Sequence, residues 1–290
     1  MSLAERKTRT TPTDLFYDDS GISIYIADAM NKLEDFPDNT FQSCVTSPPY
    51  WGLRDYDHPG QIGAEPLLND YISDLVDVFR EIRRVLKDDG TFWLNIGDAY
   101  TSGGRTWRAP DKKNHGRAMT YRPDTPEGLK PKDLIGLPWR VAFALQADGW
   151  YLRSDIIWNK PNCQPESVKD RLTRSHEYVF LFSKSERYLF NQDAIMESAS
   201  GGEGRKNRRS VWNIKTEGFK GAHFAVFPTA LVELCLLAGS DQGDQIIDPF
   251  LGSGTVGAVA KKLGRGCVGI EINQDYVKMA ANRIDAQRAA

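Results

Sequence analysis

The chain has 290 residues, of which 40% are apolar, 11% aromatic and 26% charged. These proportions describe a folded domain and exclude a disordered chain, a collagen-like repeat and a disulfide scaffold. Single cores stop growing at roughly 250–300 residues, so one domain over residues 1–290 is predicted rather than two.

Thirty-seven Lys and Arg against 39 Asp and Glu leave a formal charge of −2, which taken whole argues for neither nucleic acid nor membrane. The distribution is uneven. Residues 101–130 carry Arg105, Arg108, Lys112, Lys113, Arg117, Arg122 and Lys130 against Asp111, Asp124 and Glu127. Residues 203–220 carry Arg205, Lys206, Arg208, Arg209, Lys215 and Lys220 against Glu203 and Glu217, so each segment has an excess of four positive charges. Cys44, Cys163, Cys235 and Cys267 form no C-x-x-C pair; neither a zinc knuckle nor a redox pair nor any other metal site is expected, and a reducing cytoplasm suits them. The first residues are polar and no run of about 18 apolar residues occurs, so neither export nor a membrane span is expected.

In chain order, short runs rich in β-branched and aromatic residues predict strands at 22–26, 42–46 and 91–96. Between the last two, Ile72, Leu75, Val76, Phe79, Ile82 and Leu86 recur at three- and four-residue steps, predicting a helix over 71–87 that Asp88-Asp89-Gly90 stops. A helix over 132–147 precedes strands at 151–158 and 176–182. No helical pattern separates those two strands, so they are expected to pair antiparallel. Helices over 228–238, 254–263 and 274–286 then alternate with strands at 245–248 and 267–271, making seven strands in all. Strands alternating with helices predict a mostly parallel sheet covered on both faces. Segments 101–130 and 201–221 fit no element. Loops longer than about 12–15 residues in a compact domain are usually functional, and these two are also the cationic ones.

Asp248-Pro249-Phe250-Leu251-Gly252-Ser253-Gly254-Thr255 joins a predicted strand to a predicted helix. Glycines there let the backbone turn and approach a ligand, and the helix start offers free N–H groups. Gly252, Gly254 and Gly257 satisfy G-x-G-x-x-G, and Glu271 ends the next strand, so a nicotinamide dinucleotide is one owner of this turn. Asp248 at the strand tip favours another. A carboxylate there repels a pyrophosphate and suits a ligand with an ammonium, such as the methionine part of S-adenosyl-L-methionine. Glu271 serves either owner by accepting from ribose hydroxyls.

Ser47-Pro48-Pro49-Tyr50 follows the strand at 42–46, at the end where open α/β sheets place their ligands. Two prolines fix the backbone and remove two N–H donors, leaving a rigid acceptor corner. The exocyclic amine of a nucleobase is a poor nucleophile because its lone pair is delocalised. If the Ser47 hydroxyl and the Pro48 carbonyl accept its two N–H bonds, the nitrogen can pyramidalise toward a sulfonium methyl. Tyr50 offers a ring on which an extruded base can stack.

These two motifs resemble those of the amino-methylating DNA methyltransferases, which modify cytosine N4 or adenine N6. The acceptor motif of that family is (S/D/N)-P-P-(Y/F/W), matched by residues 47–50, and its cofactor turn is D-P-F-x-G-S-G-T, matched by residues 248–255. The acceptor motif comes first, as in the permuted β group, and the likeness runs from about Ile22 to Ile284. It implies a Rossmann-like α/β fold, S-adenosyl-L-methionine as cofactor and double-stranded DNA as partner. It also implies a cognate restriction endonuclease alongside a cytoplasmic monomer or homodimer. Ala27-Asp28-Ala29 takes the place of a strand-end acidic residue at the cofactor adenine, and Gly269-Ile270-Glu271-Ile272 resembles the ribose-binding strand. His223-Phe224-Ala225-Val226-Phe227-Pro228 resembles a segment closing over the methionine end of the cofactor. Residues 157–162 and Ser175-His176-Glu177-Tyr178 fall where the family has a hairpin beside the target base.

Serine at position 47 goes mostly with cytosine N4 in that family, aspartate with adenine N6, so cytosine is the expected target and adenine the alternative. Arg105, Arg108, Lys112, Lys113, Arg117, Arg122, Lys160, Arg205, Lys206, Arg208 and Arg209 are the candidates for phosphate contact. The family reads its sequence through the segment 183–221, which is short here. The basic loop 101–130 is therefore expected to share recognition, with Trp107 or Tyr121 able to intercalate. A nicotinamide oxidoreductase and a catalytically inactive DNA-binding protein are the competing readings from other classes.

Overall fold

The computed structural model describes residues 14–53, 60–101, 123–199, 204–218 and 227–287. Its strands are β1 (Leu15–Asp19), β2 (Ile22–Ile26), β3 (Phe41–Thr46), β4 (Leu86–Ile96), β5 (Tyr151–Asn159), β6 (His176–Ser183), β7 (Glu197–Ser198), β8 (Arg205–Lys206), β9 (Val211–Asn213), β10 (Gln245–Asp248) and β11 (Gly266–Glu271). Its helices are α1 (Ala29–Leu33), α2 (Leu68–Val85), α3 (Leu137–Ala147), α4 (Thr229–Gly239), α5 (Thr255–Lys262) and α6 (Gln274–Asp285).

Nine strands form one sheet in the order β1-β2-β11-β10-β3-β4-β6-β5-β9, and β7-β8 form a separate ribbon. β2, β11, β10, β3 and β4 are mutually parallel, while β6 runs antiparallel to both β4 and β5. The expected pairing of the two strands after α3 is thus present. All six residues of β3 are buried, as a parallel strand covered on both faces requires. Leu33, Leu75, Phe79 and Val141 from α1–α3 pack on one face with Phe92 and Leu94. Leu231, Leu236, Val256 and Val277 from α4–α6 pack on the other with Trp93 and Trp212.

The strand count of seven is corrected to nine by the two edges. β1 is exposed at four of its five positions, so its sequence has no apolar alternation to read. It is held by a tight turn at Ser20 and Gly21, both at positive φ, that folds it antiparallel onto β2. β9 is three residues long and lies inside the polar segment, anchored by the buried Trp212.

Two helix boundaries also move. α2 ends at Val85 because Leu86 turns extended to pair with Phe41 of β3, and Asp88-Asp89-Gly90 lies within β4 rather than behind the helix. α3 begins at Leu137, not at 132, since Gly136 is left-handed and Pro138 sits in the first turn. The buried Asp98 carboxylate accepts the Leu137 N–H at 3.0 Å.

The sheet reverses winding between β10 and β3: the chain leaves β10 for β11 on one side and β3 for β4 on the other. A crevice at such a switch point, beyond the carboxyl ends of the strands, is where doubly wound sheets bind ligands.

Candidate active site

Both motifs occupy that crevice. β3 ends in Thr46 and β10 ends in Asp248, and the Thr46 hydroxyl donates to Asp248 Oδ1 at 2.6 Å. Phe250 N donates to the same oxygen at 3.1 Å. Asp248 Oδ2 is buried with no hydrogen-bond partner. Burial pushes this carboxyl up to about 7, against the lowering effect of its two donors. A buried acceptor with one unused oxygen suits a cationic ligand group, whose charge would offset the desolvation.

The turn after β10 carries the glycine that its geometry demands. Gly254 is left-handed, and a Cβ there would lie 2.7 Å from the Ala280 side chain. Pro249 is buried, and Phe250 stands edge-on to Phe79 with ring centroids 6.3 Å apart. Ser253 and Thr255 turn their hydroxyls to Arg283 of α6, at 3.3 and 2.8 Å. Glu271 at the tip of β11 accepts from Gly252 N and Asn273 N, both at 2.8 Å, one on each oxygen, and burial raises its carboxyl. Each of those oxygens keeps a lone pair for a hydroxyl donor. Asp28, at the tip of β2, caps α1 by accepting from Asn31 N at 3.0 Å, with Ala29 buried behind it. Asp28, Glu271, Asp248 and Ser47 therefore follow four successive strands on one edge of the sheet.

The acceptor turn is braced from three sides. Tyr71 of α2 donates to the Pro49 carbonyl at 2.8 Å, and Trp51 Nε1 donates to the Glu65 carbonyl at 2.9 Å. The third brace is a polar cluster that sequence reasoning did not assemble. Asn95 Nδ2 lies 3.2 Å from Ser47 Oγ, 3.0 Å from Tyr50 Oη and 3.1 Å from Glu177 Oε2. Tyr50 donates its phenol to Glu177 Oε2 at 3.0 Å, and burial followed by the Glu177 charge raises that phenol well above its ordinary range. Lys160 closes the cluster on Glu177 Oε1 and lies 4.2 Å above the Trp158 ring. The signal for Asn95 was present: it interrupts the run Phe92-Trp93-Leu94-Asn95-Ile96, and a polar residue in a buried strand needs a partner.

Of the candidate phosphate contacts, Lys160 has its ammonium committed to Glu177. Arg205 donates to the Asp193 carbonyl, Arg208 to the Ile195 carbonyl, and Lys206 pairs with Glu197 at 3.6 Å. Arg209 reaches Glu197 only at 4.0 Å and its side chain is 73% exposed. Arg105, Arg108, Lys112, Lys113, Arg117, Arg122, Trp107, Tyr121, His223 and Phe224 lie outside the described residues. Among the described residues no helix is long and apolar enough to cross a membrane.

Known proteins converge on the same chemistry. The N6_N4_Mtase family model, described as DNA methylase, matches residues 41–282. The chain is 64% identical over 266 residues to the type II methyltransferase M.SmaI of Serratia marcescens, covering 91% of each chain. It is 56% identical over 283 residues to the type II methyltransferase M.Cfr9I of Citrobacter freundii, covering 98% of this chain and 93% of that one. In fold it is similar to PvuII DNA methyltransferase (cytosine-N4-specific), with a TM-score of 0.69 at 23% identity over 91% of this chain and 86% of the other. It is also similar to a putative DNA modification methylase from Thermus thermophilus solved with S-adenosyl-L-methionine, with a TM-score of 0.59 at 21% identity over 91% and 96%. These relatives favour S-adenosyl-L-methionine over a nicotinamide dinucleotide as the cofactor. The chain belongs to the amino-methylating (N6/N4) DNA methyltransferases, type II enzymes that take their methyl group from S-adenosyl-L-methionine.

Proposed function

We propose that this enzyme methylates the exocyclic N4 of a cytosine extruded from duplex DNA. The observation that supports it most is the Thr46–Asp248 hydrogen bond, which joins the acceptor turn to the cofactor turn at one crevice. The unpartnered Asp248 Oδ2 fits the ammonium of the methionine moiety, the free lone pairs of Glu271 fit the ribose hydroxyls, and Asp28 fits the adenine side. When bound, the cofactor supplies an electrophilic methyl group.

This chain's residues prepare the nucleophile. Asn95 donates to Ser47 Oγ, and the Ser47 hydroxyl points to Tyr50 Oη at 3.5 Å, so a lone pair of Oγ is left for the target amine. Tyr71 engages the Pro49 carbonyl, while no hydrogen bond from a described residue reaches that of Pro48. Two acceptors side by side hold an amino group by both hydrogens and aim its lone pair. Ser47 in place of aspartate favours cytosine, as does the fold neighbour named for that specificity. We further propose that the modification protects host DNA from a cognate restriction endonuclease, as the type II names of the relatives imply.

Unmethylated DNA incubated with the enzyme and cofactor, digested to nucleosides and weighed by mass spectrometry, should yield N4-methylcytosine. N6-methyladenine would reassign the base, and an unmodified digest would leave only a binding protein. Sequencing the product then locates the methylated sequence.

Phosphate contact makes a second prediction. Arg209→Ala should lower the slope of log affinity against log salt by about one. Lys206→Ala should lower that slope less, because its ammonium is already paired with the Glu197 carboxylate at 3.6 Å.

A further inference from the structure

β5 runs in the same direction as β3, β4 and β10, so its carboxyl end opens on the crevice edge. There Lys160 N donates to the Ser175 carbonyl at 2.7 Å, forming a neck from which residues 161–174 project. Two residues past that neck, Glu177 holds Tyr50. The loop therefore stands beside the acceptor turn.

Leu172 in this loop is 89% exposed, whereas the other exposed large apolar side chains among the described residues range from 39% to 62%. The residues around it are tied down. Arg171 lies 3.9 Å above the Tyr100 ring, pairs with Glu166 and donates to the Leu172 carbonyl at 3.0 Å. Asp170 pairs with Lys132 at 2.8 Å, and Arg174 pairs with the buried Asp98 at 3.6 Å. A leucine held rigidly in water gains nothing for the fold. Arg171 and Arg174 are paired with Glu166 and Asp98, so Lys169 is the loop's cation left for a neighbouring phosphate.

A base pulled from a duplex leaves a gap in the stack, and an apolar side chain inserted between base steps offsets the lost stacking. We propose that Leu172 is the wedge that enters duplex DNA at the target step and fills the space left by the extruded base. The assignment rests on the base-extrusion reading above.

The test uses the full-length enzyme and a duplex bearing the sequence found methylated in the parental product. Pyrrolocytosine at the target position reports extrusion, and single-turnover methylation of the unmodified duplex reports rate. Leu172→Ala, at an exposed site, should fold normally and bind the cofactor as before. It should lose most of the fluorescence rise and methylate roughly tenfold more slowly. A duplex with a mismatched partner opposite the target, where unpairing costs less, should restore the variant to near the parental rate. Leu172→Phe should keep both signals. A parental rise with an undiminished Leu172→Ala signal would overturn the wedge alone, as would a rate loss equal on paired and mismatched duplexes. Methylation by the parental enzyme with no rise would overturn extrusion and the wedge together.

Discussion

Asp248→Asn should weaken S-adenosyl-L-methionine binding by on the order of a hundredfold or more, measured by calorimetric titration. The loss of one partner from a buried charge pair costs about 3–5 kcal/mol. Asparagine keeps the oxygen that accepts from Thr46 and Phe250, so the turn retains its hydrogen bonds and only the charge is lost. The same substitution should alter the pH dependence of stability. Burial raises the folded Asp248 carboxyl from 3.8 to about 7, so across that window the folded state binds more protons than the unfolded one. Stability contributed by this group is complete below 3.8 and is lost as pH rises through about 7. The melting temperature of Asp248→Asn minus that of the parental protein, without cofactor, should therefore rise over the same interval. Cofactor affinity of the parental enzyme should climb in that window, because an ammonium selects the ionised carboxylate.

The parts of this molecule that sequence reading reached share a physical cause. β3, β10 and β11 lie between two helical layers and centre on apolar pairs, Cys44-Val45, Ile246-Ile247 and Cys267-Val268, and α2 is amphipathic because one face meets Phe92 and Phe41. Burial imposes a pattern, and the pattern can be read. β1, β9 and the five-residue α1 bury too little to impose one, and they were missed. The cofactor and acceptor motifs were legible because each is contiguous, and parallel neighbours β10 and β3 bring their ends together. The Asn95–Glu177–Lys160 cluster was legible only in part: the resemblance set Lys160 and Glu177 on a hairpin beside the target base, but Asn95 comes from β4, far away in the chain. Lys160 read as one more surface cation for phosphate, when its partner lies on the antiparallel neighbour of its own strand. Gly97 is another case. A Cβ there would lie 2.8 Å from the Tyr50 ring and 3.2 Å from Glu177, a constraint invisible until the strands are packed.

Tyr50 supplies two things to this site, a ring and a hydroxyl, and two substitutions separate them. Tyr50→Ala removes both. Base–aromatic stacking is worth about 1–3 kcal/mol per base, and a Glu177 oxygen also loses its phenolic donor. Methylation kcat/KM should fall on the order of a hundredfold, with cofactor affinity within about twofold of parental because Asp248 and Glu271 are untouched. The turn should hold its shape, since Tyr71 on Pro49 and Trp51 on Glu65 brace it independently. Tyr50→Phe keeps the ring but removes the group that receives Asn95 and donates to Glu177. Asn95 then has one acceptor fewer competing with Ser47, while Glu177 loses a donor. A smaller loss is expected, roughly tenfold in kcat with KM for DNA nearly unchanged, because the hydroxyl acts on the placement of Ser47 and not on the stacked base. If steady-state kinetics found the two variants equally impaired, the ring would carry no stacking contact, and the role of Tyr50 would reduce to that of a hydrogen-bonded strut between Ser47 and Glu177.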